Sequence, residues 1–138
     1  MPIAVKRVYE PPAPNDGVRV LVDRLWPRGL SKSAARIDLW VRELAPSNEL
    51  RRWYAHDAKK WPEFKRRFSV ELKTRADALK ALALEARKQK VTLLFASREP
   101  RLNNAFALKP FLEARPRTRP KPRRARTAGG RTRRSPRR

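Results

Sequence analysis

The stretch from Val18 to Ser31, VRVLVDRLWPRGLS, constrains the fold more than any other part of the chain. Val18-Arg19-Val20-Leu21-Val22 has the length and β-branched composition of a strand. It is nearly uninterrupted in apolar character, which predicts burial on both faces. Asp23-Arg24-Leu25-Trp26-Pro27-Arg28-Gly29 then breaks the run, and Ser31 is placed to start a short helix over 32–36. A strand that ends in charges, then Pro and Gly, then a helix N-terminus, is the layout on which α/β proteins build binding sites.

The flanking segments extend this pattern. Ile3 to Tyr9 predicts a first strand, and the Pro- and Gly-containing stretch from Glu10 to Gly17 predicts an exposed loop. The shortness of that loop favours a hairpin between the first two strands over a parallel crossover, although either pairing is open. Ile37 to Leu44 alternates well enough for a third strand, with a helix nearly as acceptable. Ser47 is a plausible N-cap, with Leu50, Trp53 and Tyr54 on one face of the helix that follows. From Trp61 the apolar residues recur at helical spacing through Phe64, Phe68, Leu72, Leu79 and Ala86. Thr74 and Asp77 resemble a capping box, so the span divides into two helices near 73–75. Val91 to Ala96 is the clearest strand. Asn103 or Asn104 is placed to cap a last helix, which Pro110 should kink or end. Strands alternating with helices predict an α/β fold, a small mostly parallel sheet of three to four strands flanked by helices.

Charge divides the chain in two. Residues 1–113 hold 24 of the 36 basic residues and all 13 acids, a net +11, while 114–138 hold the other twelve cations and no acid. The first part is read as one α/β domain and the second as a disordered Arg/Pro-rich tail, lacking any large apolar side chain to bury. Within the tail Arg123, Arg124, Arg126, Arg131, Arg133 and Arg134 are suited to following phosphates without reading bases. Nonspecific nucleic-acid binding is the favoured reading, with a solubilising tail or attraction to a membrane surface as the competing ones.

Composition also excludes chemistry. Without cysteine there is no disulfide, thiol nucleophile or thiolate metal site, and with one histidine a tight zinc site is not expected; no metal or cofactor is assigned. Four glycines without a repeated pattern exclude dinucleotide and phosphate-loop cradles. No apolar run reaches the ~20 residues that span a bilayer, and no secretory signal is evident, so a cytoplasmic location is expected.

Several runs in this chain occur in the same order in one bacterial group. They are Val5-Lys6-Arg7-Val8-Tyr9, Asp23 to Ser31, Leu44-Ala45-Pro46-Ser47, His56-Asp57 with Trp61 and Phe64, Thr92-Leu93-Leu94, and Asn103 with Ala105. The chain thereby resembles the YeaO-like group, within a family described as a domain of unknown function, over Ile3 to Leu112. The resemblance implies a small soluble α/β domain and no established activity. It also implies a His before the Asn at position 103, where this chain has Leu102, and it does not cover the basic tail.

Candidate site residues fall into two groups. Arg24, Arg28 and Gly29 stand ahead of the Ser31 helix, and Ser97 and Arg98 follow the strand ending at Ala96. If the two strands are parallel neighbours, these arginines converge on one sheet edge and can grip a small anionic ligand, phosphate or carboxylate. Trp26 is placed to stack on such a ligand and Asn103 to bond it, whereas Trp40, Trp53 and Trp61 read as core. The competing reading has Asp23 and Glu99 pairing with the arginines to brace loops. Asp23 and His56 are the acid–base candidates for a catalytic alternative acting on a phosphorylated or nucleic-acid substrate. The competing role for the His56-Asp57 pair is a helix cap beside a packed or exposed imidazole.

Overall fold

In the computed structural model, which describes residues 3–114, the chain forms a four-stranded, all-parallel sheet. The strands are β1 (Ile3–Arg7), β2 (Val18–Leu21), β3 (Leu39–Trp40) and β4 (Val91–Phe95), in the spatial order β1-β4-β2-β3. The expectations for Arg123, Arg124, Arg126, Arg131, Arg133 and Arg134 lie outside the described residues.

The order corrects the expected β1–β2 hairpin. β4 pairs with β1 from Ile3↔Val91 to Arg7↔Phe95 and with β2 from Val18↔Val91 to Leu21↔Leu94. All five β4 residues are buried, and a strand apolar on both faces is most stable between two others. The proline loop after β1 therefore carries the chain past β4. It crosses two strand spacings, roughly 10 Å, and returns along the length of β1, about 13 Å, a distance its residues cover when extended.

Alternation sends β2 and β4 side chains to opposite faces. Val20, Val22, Val91, Leu93 and Phe95 join the larger core beneath the helices, while Leu21 and Leu94 join a smaller one with Val8, Trp26, Leu30, Ile37 and Trp40. The sole charge in the β2 run, Arg19, is also buried. Its Nη1 pairs with Asp16 Oδ2 at 2.6 Å, and Nη2 donates to the Ala35 carbonyl at 2.9 Å. Lys6 Nζ reaches the same carboxylate at 3.2 Å, and the Ala13 N–H donates to it at 2.9 Å. Burial alone would push Asp16 up, but these donors and cations hold it below its usual value.

The segment expected as a strand over 37–44 is β3 for two residues only, followed by a 3-10 turn at Arg42–Leu44. The Trp40 indole N–H donates to the Asp23 carbonyl at 2.8 Å, and the Arg42 guanidinium lies 4.3 Å from the Trp40 ring centre. The ring is thus anchored while the chain turns away.

The helices are α1 (Lys32–Ala35), α2 (Asn48–Tyr54), α3 (Trp61–Lys73), α4 (Ala76–Lys88) and α5 (Asn104–Glu113). Ser31, Ser47 and Asn103 cap α1, α2 and α5 by accepting from Ala34, Leu50 and Phe106, each at 3.1 Å. The break between α3 and α4 falls where the Thr74 and Asp77 pair placed it, but no capping box makes it. Thr74 Oγ1 donates back to the Glu71 carbonyl, and Arg75 occupies the N-cap without a side-chain bond. Pro110 does not end α5, which continues to Glu113. Pro110 is exposed, and the helix regains a backbone bond at once, from Ala114 N to Pro110 O at 3.0 Å. Phe64, Phe68 and Leu72 of α3 and Leu108 of α5 are at most 2 % exposed. Each contributes roughly 1.5–3 kcal/mol of apolar transfer, and together they hold the helical layer against the sheet.

Candidate functional site

Parallel pairing aligns the carboxyl ends of β1, β4 and β2 on one edge of the sheet, and the segments leaving those strands enclose a cavity of about 270 Å³. After β2 the chain runs through Asp23, Arg24, Leu25, Trp26, Pro27 and Arg28, all of which line it. Ala96 and Ser97 line it from β4, Tyr9 from β1, and Asn103 and Asn104 from the start of α5. Arg51, Tyr54 and His56 close it from α2 and the turn beyond.

Asp23 sits at the floor. Oδ2 accepts the Ala96 N–H at 2.8 Å, and Oδ1 accepts the Asn104 amide at 3.1 Å. Burial pushes the carboxyl above its ordinary value of 3.8, opposed by these two donors and by the charge of Arg51. No arginine pairs with it, so the expected Asp23–arginine brace is not what the structure has. Glu99 likewise spends its carboxylate on the N–H groups of Arg101 and Leu102, at 2.9 and 3.1 Å, which lowers its pKa.

The arginines are held differently. Arg24 donates from Nε and Nη2 to the Pro46 carbonyl, both at 3.3 Å. Arg28 is fixed through its backbone, whose carbonyl accepts the Tyr9 hydroxyl at 2.8 Å. Tyr9 is itself under the Arg7 guanidinium, 4.8 Å from its ring centre, and Arg7 Nε donates to the Ser97 carbonyl at 3.0 Å. Among the described residues, Arg24, Arg28 and Arg51 make no ion pair. Arg98 does not line the cavity, so the expected Arg24/Arg28/Arg98 edge is instead Arg24, Arg28 and Arg51.

The other expected residues separate into lining and scaffold. Trp26 donates its indole N–H to the Leu30 carbonyl at 2.7 Å and meets Trp40 edge-on at 5.4 Å, while part of its ring still lines the cavity. Gly29 is not at the wall; at φ +81° it serves the turn that brings Leu30 N to the Pro27 carbonyl. Asn103 is 2 % exposed, and its amide is committed to Phe106 N and the Glu99 carbonyl. It is a cap, and its neighbour Asn104 is the residue that bonds Asp23. Ser97 Oγ accepts the Glu99 N–H at 3.0 Å.

His56 is exposed and follows Ala55 in left-handed backbone, at φ +58° and +46°. Two such residues in succession cost on the order of 1–2 kcal/mol each. They end α2 abruptly and turn His56 to the cavity mouth, and Asp57 then caps the next turn by accepting Lys59 N at 3.0 Å. Tyr54 donates its hydroxyl to the Leu102 carbonyl at 2.8 Å, a bond to backbone that is indifferent to the side chain at 102. Burial raises the Tyr54 pKa, helped by the charges of Glu99 and Asp57.

Tyr9, Arg51, Tyr54 and Asn104 were not expected at the site from the sequence. Only the DRLWPRG run carried a local signal, whereas these four reach the cavity through the strand order and the placement of α2. The cavity therefore combines apolar walls from Leu25, Pro27, Ala45, Pro46 and Phe64 with three guanidinium groups, an imidazole and a buried carboxyl. Among the described residues no group of three or more His, Asp or Glu is placed to hold a metal ion.

Comparison with known proteins bears out the resemblance carried by the motifs. The family described as "Inactive DUF488-N3 subclade" matches residues 2–128, past Glu113 and into the segment expected to be tail. The chain is 39 % identical over 114 residues to the uncharacterized protein YeaO of Escherichia coli (strain K12), covering 83 % of this chain and 99 % of that one. It is 41 % identical over 113 residues to the uncharacterized proteins Mb3100c of Mycobacterium bovis and Rv3073c of Mycobacterium tuberculosis, covering 82 % of this chain and 95 % of each. No solved structure matches. The chain belongs to the DUF488-N3 subclade so described.

Proposed function

We propose that this member of the subclade is a binding protein that takes a small phosphorylated or carboxylate-bearing ligand in the cavity at the carboxyl edge of its sheet. The observation that carries this reading is the set of three cavity-lining arginines, Arg24, Arg28 and Arg51, with no acidic partner within 4.0 Å among the described residues. Guanidinium groups in a part-enclosed, apolar-walled site bind oxyanions more strongly than in water, because the local dielectric is lower. A cavity of about 270 Å³ suits one small molecule or a single nucleotide. The twelve cations of 114–138 would add nonspecific attraction to nucleic acid.

Catalysis by Asp23 and His56 is the second reading. It is favoured by their placement on one cavity and by the raised pKa of Asp23. The subclade's description as inactive weighs against it, as does the commitment of both Asp23 oxygens to Ala96 and Asn104. The test is calorimetric titration of the full chain with nucleoside monophosphates, sugar phosphates and aromatic carboxylates, alongside an assay for turnover of each. Saturable binding that Arg51→Ala weakens, without turnover, is the expected result. Absence of binding across all three classes overturns the reading, and turnover lost in His56→Ala replaces it with the catalytic one.

A further inference from the structure

Residues 51–67, running from α2 through the turn at Ala58–Lys60 into α3, carry seven Lys and Arg against two acids. That net +5 is almost half of the +11 carried by 1–113. One of the acids, Glu63, is already engaged, bonding Arg66 at 2.7 Å and Arg67 at 2.9 Å, which lowers its pKa to about 2. Arg52, Lys59 and Lys65 are exposed and make no ion pair among the described residues. Like charges packed this closely repel one another, and an anionic partner relieves that repulsion.

Aromatic rings are interleaved with these cations. Trp53, half-buried, lies beneath the Arg67 guanidinium at 4.1 Å and the Lys60 ammonium at 5.0 Å. Lys65 approaches Trp61 at 5.6 Å. Trp61 stacks on Phe64 with centres 5.5 Å apart, and Phe64 lies 4.4 Å from Tyr54. Phe64 and Tyr54 are buried walls of the cavity, and of these rings Trp53 and Trp61, half-buried, are the ones that reach the outer surface. Arg51 and His56 belong to the same segment and also line the cavity.

We propose that this surface is a track for single-stranded nucleic acid, which leads one nucleotide into the cavity. The inference deepens the cavity reading and rests on it. Cations spaced between aromatic faces follow a flexible phosphate backbone while offering stacking to unpaired bases. A duplex cannot deliver a nucleotide into so small a cavity without first unpairing it, which favours a single strand.

The experiment measures binding of the full chain to a fluorescent twelve-residue oligothymidylate over a range of salt. Wild type is compared with the triple variant Arg52→Ala, Lys59→Ala, Lys65→Ala, in parallel with titration of both by thymidine monophosphate. All three positions are exposed, so the variant should keep its melting temperature. Losing three phosphate contacts should flatten the slope of log K against log salt by about 2, with monophosphate binding unchanged. The cationic tail is present in both proteins and cancels in the difference. An unchanged slope with monophosphate still bound overturns the track and leaves the cavity reading intact. No monophosphate binding by wild type overturns this inference, while the cavity reading then rests on the sugar phosphates and aromatic carboxylates. Equal loss of binding to phosphatidylglycerol vesicles or to a twelve-pair duplex would mark the surface as a general polyanion patch and also overturn the proposal.

Discussion

The carboxylate of Asp23, just past β2, accepts the backbone N–H of Ala96, just past β4, at 2.8 Å. This bond, with the Asn104 amide on the other oxygen, ties the two strand ends to the first turn of α5. It also buries a carboxyl at a raised pKa, which makes the floor of the cavity sensitive to pH. Folding favours the protonated form, so between 3.8 and the raised folded value the native state binds more protons than the unfolded one. The stability this group contributes is complete below 3.8 and is lost as pH rises through the folded pKa.

Asp23→Asn tests that relationship. An amide can present only one oxygen, so either Ala96 or Asn104 meets an NH₂ group instead of an acceptor. The expected cost is about 1–3 kcal/mol at pH 7. Denaturant unfolding between pH 3 and pH 8 should show the wild type losing stability with rising pH in the window above 3.8, relative to the variant. A constant difference across that range would mean that the carboxyl does not titrate on folding.

The buried Asp16–Arg19 pair should behave in the opposite sense. Asp16 is held below its usual 3.8, so its contribution is complete above that value and is lost as pH falls through the lowered folded pKa. Asp16→Ala leaves Arg19, 4 % exposed, without its carboxylate and should cost about 3–5 kcal/mol near neutral pH. Replacing both residues together, with Asn and Met, should cost less than the single change, because Arg19 is then not left buried without its carboxylate, while Lys6 keeps the Pro11 carbonyl at 2.8 Å in either variant. Thermal melts of the single and double variants decide this.

Two glycines at positive φ should respond unequally to alanine. A Cβ on Gly17, at φ +67°, would collide with the Lys90 carbonyl, which itself accepts the Val18 N–H at 2.9 Å. Gly17→Ala should therefore disturb the start of the β2–β4 ladder and lower stability well beyond the ~1–2 kcal/mol of backbone strain alone. Gly29, at φ +81°, has nothing within 4 Å of such a Cβ, and Gly29→Ala should incur the strain only. Equal losses in the two melting curves would contradict this difference in surroundings.

These contrasts show what the chain reveals before it is folded. β4 and the caps at Ser31 and Ser47 were readable because each is set by a few neighbouring residues; the α5 cap was narrowed to Asn103 or Asn104, and the break between α3 and α4 was placed by a capping box that does not form. The place of β4 between β1 and β2 was not readable, since proximity along the chain favoured a hairpin and only burial of β4 on both faces outweighs it. Arg19 looked like a minor interruption of a strand, because its partner Asp16 sits in a loop that reads as turn chemistry. DRLWPRG pointed to the edge of the sheet where the cavity lies. Arg98 was expected there and Arg51 was not, because the turn after Ala96 and the orientation of α2 are both long-range outcomes. Asn103 and Asn104 illustrate the limit most sharply: adjacent and chemically identical, one caps a helix and the other bonds Asp23.

The arginines allow the cavity reading to be separated from structural bracing. Arg24 makes two bonds to the Pro46 carbonyl at 3.3 Å, so Arg24→Ala should lower both stability and ligand affinity. Arg28 is positioned through its backbone, by the Tyr9 hydroxyl on its carbonyl, and its guanidinium is in no ion pair among the described residues. Arg28→Ala should therefore leave the melting temperature within a degree or so while weakening binding of thymidine monophosphate about tenfold, the loss of one charge-assisted contact. Arg98→Ala removes a cation of the same loop edge that does not line the cavity, and should alter neither quantity. Calorimetric titration of the three variants at one ionic strength makes the comparison. If Arg98→Ala weakened binding as much as Arg28→Ala, the attraction would come from net charge and not from the cavity.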